Sequence, residues 1–243
     1  MKYSILLAAT ALCSLVQAAP LHINVPDLID GNGRSVLNTA AGDQSFGASA
    51  NSAFVVAEDF TVGDGGWRVA SIDFFGYQTG AAGFTFTTAT WSVVSGALNV
   101  GTVVASGTTA VLDGGTVGHR VLDTDLGATN RAIKRIHTDM ADFDLAEGNY
   151  WLTWSLAGTS SSGPFVPPSV NAAGNAQQRP SSGTTFNPFV MTGSNRAVAL
   201  PFTINGSTAA TVAEPSSAAL VLLAGAGLLA GQRRQRRQVQ AVA

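Results

Sequence analysis

The side chains that could do chemistry in this chain are few and scattered. Residues 19–212 hold fourteen of its fifteen acidic side chains and all three histidines, His22, His119 and His137. Two stretches gather the acids. "DLIDGNG" supplies Asp27, Asp30 and Asn32 beside turn glycines, and "DMADFD" supplies Asp139, Asp142 and Asp144. Calcium takes six to eight oxygen ligands at flexible spacing, so either stretch could donate two or three of them. Neither has the spacing of a full calcium loop, and aspartates that cap turns through local hydrogen bonds are the simpler account of both. The histidines have no sequence-local metal partner, and a catalytic imidazole needs an orienting group that sequence does not supply here. Hydrolase, zinc-protease and phosphate-loop motifs are all missing. A pair of carboxylates converging from distant positions, as in glycoside hydrolysis, stays open. The expectation is a non-enzyme with no resident cofactor, calcium being the one ion for which ligands are in sight.

An aromatic residue is the other candidate. In "NYWLTWSLAG", Tyr150, Leu152, Trp154 and Leu156 fall on one face of a strand, and Trp151, Thr153 and Ser155 on the other. If the first set faces a core, Trp151 faces outward. It is then either a platform for a sugar ring or part of a second apolar layer, the simpler reading, beneath the long segment Gly158–Gly183. That segment holds Pro164, Pro167 and Pro168, which resist helix and central strand alike. Loops of such length are usually functional or disordered, and an ordered, plain surface excursion stands at least level with a binding loop as the reading of this one.

The elements that must position these groups are short and of period two. Strands are predicted at Ser52–Val62, Trp67–Tyr77, Phe84–Val94, Leu98–Ala105, Ala132–Thr138, Tyr150–Ala157 and Ala197–Asn205, with glycine-rich breaks at 63–66, 80–83 and 114–115. A change of face between Phe86 and Trp91 predicts a bulge near Thr88 and Ala89. No segment of helical period lies between the two ends of the chain. The predicted fold is all-β, an antiparallel β-sandwich or jelly-roll-like ectodomain over residues 19–212, flanked by an N-terminal signal helix and a C-terminal transmembrane-type helix.

The ends fix the compartment. "MKYSILLAATALCSLVQAAP" has Lys2, an apolar run from Ile5 to Val16 and small residues at Ala18 and Ala19. That is the order of a secretory signal peptide over residues 1–18, with the mature chain starting at Ala19. Cys13 is the only cysteine and is removed with it, and Leu12 before it argues against a lipoprotein. Disulfides and thiol chemistry are thereby excluded from the mature chain. The ectodomain keeps eight basic residues against fourteen acidic ones, a net charge near −6, which disfavours nucleic acid.

At the other end, Ala218–Gly231 is apolar and Arg233, Arg234, Arg236 and Arg237 follow at once. As a helix the run would reach about 21 Å, short of a hydrocarbon core of roughly 30 Å. The arginines would stay on the cytoplasmic side. A temporary hold fits this length better than a permanent anchor, which is the rival reading. The stretch Ala213, Glu214, Pro215 and Ser216, the apolar run and the arginine cluster together resemble the PEP-CTERM sorting signal of Gram-negative bacteria, with Ala213 where the motif has its first proline. The resemblance covers residues 212–237, with 238–243 as a tail. The blocks "AEDFTV", "GNYWLTWSLAG" and "LPFTING" also look like those of PEP-CTERM ectodomains, though they are packing motifs.

That resemblance implies a chain handled by the general secretion machinery and held in the inner membrane by its C-terminal helix. Exosortase would then process it, leaving it at the cell surface or outside the cell. It further implies a structural or adhesive matrix role linked to exopolysaccharide. Two other roles stay open, a carbohydrate-binding module and a secreted glycan hydrolase.

Overall fold

The computed structural model describes residues 19–169, 174–191 and 195–208. The predicted signal segment, the stretch from Ala213 to Arg237 read as a sorting signal, and both predicted flanking helices lie outside those residues. In chain order the strands are β1 Ala19–Ile23, β2 Arg34–Leu37, β3 Phe46–Gly47, β4 Val55–Val62 and β5 Trp67–Gly76. Next come β6 Phe86–Ser95, β7 Thr102–Ala110, β8 Leu112–Leu122, β9 Ala132–Leu145 and β10 Gly148–Gly158. The last four are β11 Phe165–Val166, β12 Gln177–Arg179, β13 Asn187–Pro188 and β14 Phe202–Thr208. No α-helix occurs among the described residues.

Two six-stranded sheets result, ordered β1-β14-β5-β9-β8-β2 and β13-β12-β4-β10-β6-β7, with β11 and β3 forming a small third ladder. Every strand pair is antiparallel except β2 with β8. One core lies between the two large sheets. Tyr150, Leu152, Trp154 and Leu156 of β10 are all buried there, as the alternation predicts. Trp154 stacks on Phe74 of β5 with ring centroids 5.5 Å apart and meets Phe202 of β14 edge-on at 5.9 Å. Trp91 of β6 stacks on Phe143 of β9 at 5.7 Å. These ring pairs couple the two sheets, since each large ring removes much apolar surface from water at once.

A titratable group sits among them. Glu58 of β4 is paired across the ladder with the buried Leu152 and is 1% exposed. Its Oε1 accepts the backbone N–H of Asn175 at 2.8 Å and its Oε2 that of Leu200 at 2.7 Å. The carboxyl thus fixes two irregular segments whose amides would otherwise be buried without acceptors. Burial pushes its pKa up to about 8 in spite of those two donors.

Several boundaries differ from the sequence expectation. β4 starts at Val55 because Ala50–Ser52 closes a 3-10 turn ending in Ala53 at φ 56°. β7 starts at Thr102, after a tight turn in which Gly101 N–H reaches the carbonyl of Ala97. The last strand starts at Phe202, since Pro201 offers no ladder donor and the Leu200 amide goes to Glu58. Gly114 and Gly115 do not separate strands. They lie inside β8 as a double irregularity in its pairing with β9. A Cβ on Gly114 would stand 2.9 Å from the Arg135 side chain and carbonyl, so only glycine lets the ladder close there. The bulge in β6 falls at Thr87, between the pairs Ala157–Thr88 and Gly158–Phe86, one residue from its predicted place.

Candidate functional site

Each sheet has an outer face, and each outer face carries a groove. On the first sheet, register decides what meets. β5 and β9 place Asp73 opposite His137, and Ser71 opposite Asp139. Ile72 and Phe74 occupy the inward positions of β5, so Asp73 must face out. His137 Nδ1 lies 2.6 Å from Asp73 Oδ1, and its Nε2 lies 3.1 Å from Asp139 Oδ1. Asn205 of β14 donates Nδ2 to Asp73 Oδ2 at 3.2 Å and to Ser71 Oγ at 3.3 Å. Burial by itself would lower the His137 pKa, but the hydrogen bonds and charges of Asp73 and then Asp139 outweigh it and hold the imidazole above its usual value. Donation from both nitrogens to the two carboxylates takes the imidazolium, the form this upward shift favours.

That wiring matters chemically. Two acids do converge in a cleft of about 600 Å³, which also takes in Asp113 and Arg135. A base needs a free lone pair aimed at the nucleophile, and both His137 nitrogens are committed to carboxylates. Ser71 is hydrogen-bonded to Asn205 instead of to the imidazole. Arg135 directs Nε at the carbonyl of Gly114 at 3.1 Å. The cleft runs on into an apolar trough of about 420 Å³ beside Ile23, Val25, Ile29, Phe75 and Val117. A second apolar cluster, with Val25, Leu28 and Ile133 buried in it, covers this part of the face.

The second sheet offers a different surface. Its outer groove, about 590 Å³, is floored by Thr90 and Ser92 of β6, Ser106 and Thr108 of β7, and Thr153 and Ser155 of β10. The hydroxyls pair among themselves, Ser92 Oγ with Thr153 Oγ1 at 2.7 Å and Thr90 Oγ1 with Thr108 Oγ1 at 3.0 Å. The segment between β12 and β13 returns across this face. Its Phe186 is clasped by Asn99 in the β6–β7 turn, which receives the Phe186 N–H at 2.8 Å and donates to the Phe186 carbonyl at 3.0 Å. Arg179 stands 5.6 Å from the centre of the Phe186 ring. Among the described residues it is the single charged one lining the groove, and no carboxylate is within salt-bridge distance of it.

The sequence candidates are distributed as follows. Trp151 is half-buried on the outer side of β10, between Asp59 and Val94, and does not line the groove. The long segment Gly158–Gly183 reaches the groove through Arg179. Among its other described residues, β11 pairs with β3 and β12 adds a strand beside β4. Asp139 joins the His137 cluster, whereas Asp142 and Asp144 turn to Arg68 at 3.1 and 3.3 Å. The three acids of "DMADFD" therefore do not converge. Asp30 caps a turn, its Oδ1 accepting the backbone N–H groups of Asn32 at 2.8 Å and Arg34 at 2.9 Å. Asp27 and Asp30 border a small cavity of about 140 Å³ beside the buried Arg120. Burial lowers the Arg120 pKa to about 10, and its Nη1 donates to Ser35 Oγ at 2.6 Å. His22 packs its ring 5.4 Å from Phe202, and His119 stands opposite Arg34 and Ala132 on β8.

Neither the His137 cluster nor the hydroxyl floor was identified from sequence. The signals were polar positions inside apolar strands, Asp73 in "SIDFF" and His137 in "RIHTD", and the Ser/Thr-rich, charge-free run that follows Asp73. The first needs the β5–β9 register to become a site, and the second needs the β6–β7–β10 alignment. No family model matches this chain, and no curated protein matches it.

Proposed function

We propose that this chain is an exported protein of the cell surface or extracellular matrix with a structural or adhesive role, contacting exopolysaccharide through the outer groove of the second sheet and catalysing no reaction. The observation that supports this best is the hydroxyl floor beneath Arg179 and Phe186. Serine and threonine hydroxyls donate and accept, so they can exchange hydrogen bonds with sugar hydroxyls in many orientations. An aromatic ring offers an apolar face to the C–H face of a sugar, and a guanidinium donates to ring-substituent oxygens in pairs. The groove spans β6, β7 and β10, which suits a polymer lying across several strands.

Export and processing rest on the two ends of the sequence. The signal peptide would deliver the chain to the secretion machinery. Glu214, Pro215 and Ser216, the apolar run and the four arginines would present it to exosortase at the inner membrane. Two measurements test the proposal. Affinity electrophoresis through the producer's own exopolysaccharide should retard the exported protein, and unchanged mobility would refute the glycan contact. Mass spectrometry in a host with exosortase should find the C-terminus near Glu214 and Pro215. A terminus at Ala243 would favour a permanent anchor.

A further inference from the structure

The four free edges of the two large sheets are not alike. β13 has two residues, one of them Pro188; β2 has four and begins with Arg34; β1 has five and is broken between Pro20 and His22. Shortness, proline, charge and bulges are the usual means by which an edge avoids pairing with another chain. β7 has almost none of them. It runs nine residues, Thr102–Ala110, with no charge and no proline. Its one irregularity is the extra residue Val104, between the pairs Val93–Ala105 and Val94–Val103. From Ala105 to Ala110 the strand is regular, and on its outer side no backbone partner occurs among the described residues.

Two further observations bear on what could sit there. Half of the exposed large apolar side chains of the described residues bracket this edge: Val100, Val103, Val104 and Leu112, exposed by 87%, 56%, 47% and 57%. Charge is absent as well, since no Asp, Glu, Lys, Arg or His occurs between Asp73 and Asp113. The rest of the ectodomain is acidic, with a net charge near −6, so two copies repel wherever ordinary surface meets ordinary surface. In a two-fold antiparallel pairing each strand meets its own sequence, and any charge would face its like. A charge-free edge removes that penalty for a self-pair in particular. A different partner would gain from complementary charge, and β7 offers none.

We propose that β7 pairs antiparallel with β7 of a second copy of this chain, joining the two second sheets edge to edge into one continuous sheet. Main-chain hydrogen bonds over Ala105–Ala110 carry the contact, and the valines at its ends shield it from water. Ser106 and Thr108 also line the outer groove, so the pairing sets two hydroxyl floors side by side. The contact is small, and its dissociation constant is expected on the order of micromolar or weaker.

The test uses the exported protein purified from its producing cell. Sedimentation velocity across a wide concentration range should show a reversible monomer–dimer equilibrium. Ser106→Lys with Thr108→Lys should raise the dissociation constant at least ~tenfold, about 1.4 kcal/mol, while Ser106→Gln with Thr108→Gln leaves it near that of the unmodified protein. Amide exchange in Thr102–Ala110, and not in β1 or β2, should slow as the concentration of the unmodified protein rises. That measurement needs no variant, so a misfolded lysine form would not shield the proposal. A monomer at every concentration, self-association indifferent to the lysines, or concentration-dependent protection elsewhere would overturn it.

Discussion

The outer faces of the two sheets differ in what they leave unpaired. On the first sheet the titratable groups are concentrated and spent. His137 is shared by Asp73 and Asp139, Asn205 serves Asp73 and Ser71, and Arg68 holds Asp142 and Asp144. On the second sheet four of the floor hydroxyls pair with one another, and the one cation lining the groove among the described residues stands over a ring. A polar group satisfied inside the protein must break a bond before it can serve a ligand, at a cost of about 1–3 kcal/mol if it is left unmet. A hydroxyl pair has lone pairs to spare and rearranges cheaply. The proposed function follows this difference, assigning binding to the plainer face and a role in the fold to the face richest in chemical side chains.

The largest effect that could break this comparison is on stability. Asp73→Ala strands His137 and Asn205 at a largely buried position, and should lower unfolding stability by about 3 kcal/mol. For a domain of this size that is roughly 6–12 °C in melting temperature. Retention by exopolysaccharide should not change at temperatures where the variant is folded. A variant of unchanged melting temperature that no longer binds would place the glycan site on the first sheet.

The next effect concerns protons. The carboxyl of Glu58 has its pKa raised to about 8 in the folded chain, against 4.5 when free. The unfolded chain therefore ionises first. The stability this group contributes is complete below about pH 4.5, falls as pH rises, and is exhausted by about pH 8, for a loss on the order of a few kcal/mol. His137 works in the same direction, since its raised pKa in the folded state means stability is lost as pH rises above the free imidazole value. Denaturant unfolding at pH 5 and at pH 8 should show the decline, and Glu58→Gln should flatten most of it. A curve that rises over this interval contradicts the assignment.

Much of the architecture was legible in the sequence, and for a definite reason. In β10 the alternation of Leu152, Trp154 and Leu156 with Thr153 and Ser155 gives both the element and its inward face. β5 reads the same way through Ile72 and Phe74. β8 was missed because Gly114 and Gly115 read as a break, although Gly114 lets Arg135 close against the strand and Gly115 supplies a positive φ of 92°. β1 and β2 were missed because short edge strands carry too few residues to show a period. The sites were less legible, since both depend on register. Nothing near His137 in sequence says that Asp73, sixty-odd residues away, is its cross-strand neighbour. Trp151 was correctly placed on the outer side, but alternation cannot say which part of that side the Arg179 segment roofs.

The smallest expected effect sharpens the contrast. Arg68→Ala removes both ion pairs to Asp142 and Asp144, all about half exposed or more, and should change stability by less than about 1 kcal/mol. Thermal unfolding measures it. A loss several times larger would mean that these ion pairs hold the end of β9 in place.

The most direct test sets the two faces against each other in one affinity gel containing the producer's exopolysaccharide. Arg179→Gln with Phe186→Ala removes the cation and the ring from the second face, while His137→Gln with Asp139→Asn dismantles the ion cluster on the first. Each pair is compared with the unmodified protein after its fold is checked by far-ultraviolet circular dichroism. The first pair should lose retention at least ~tenfold, equivalent to about 1.4 kcal/mol, and the second should keep it. Retention lost in the second pair and kept in the first would contradict a glycan site on the second face.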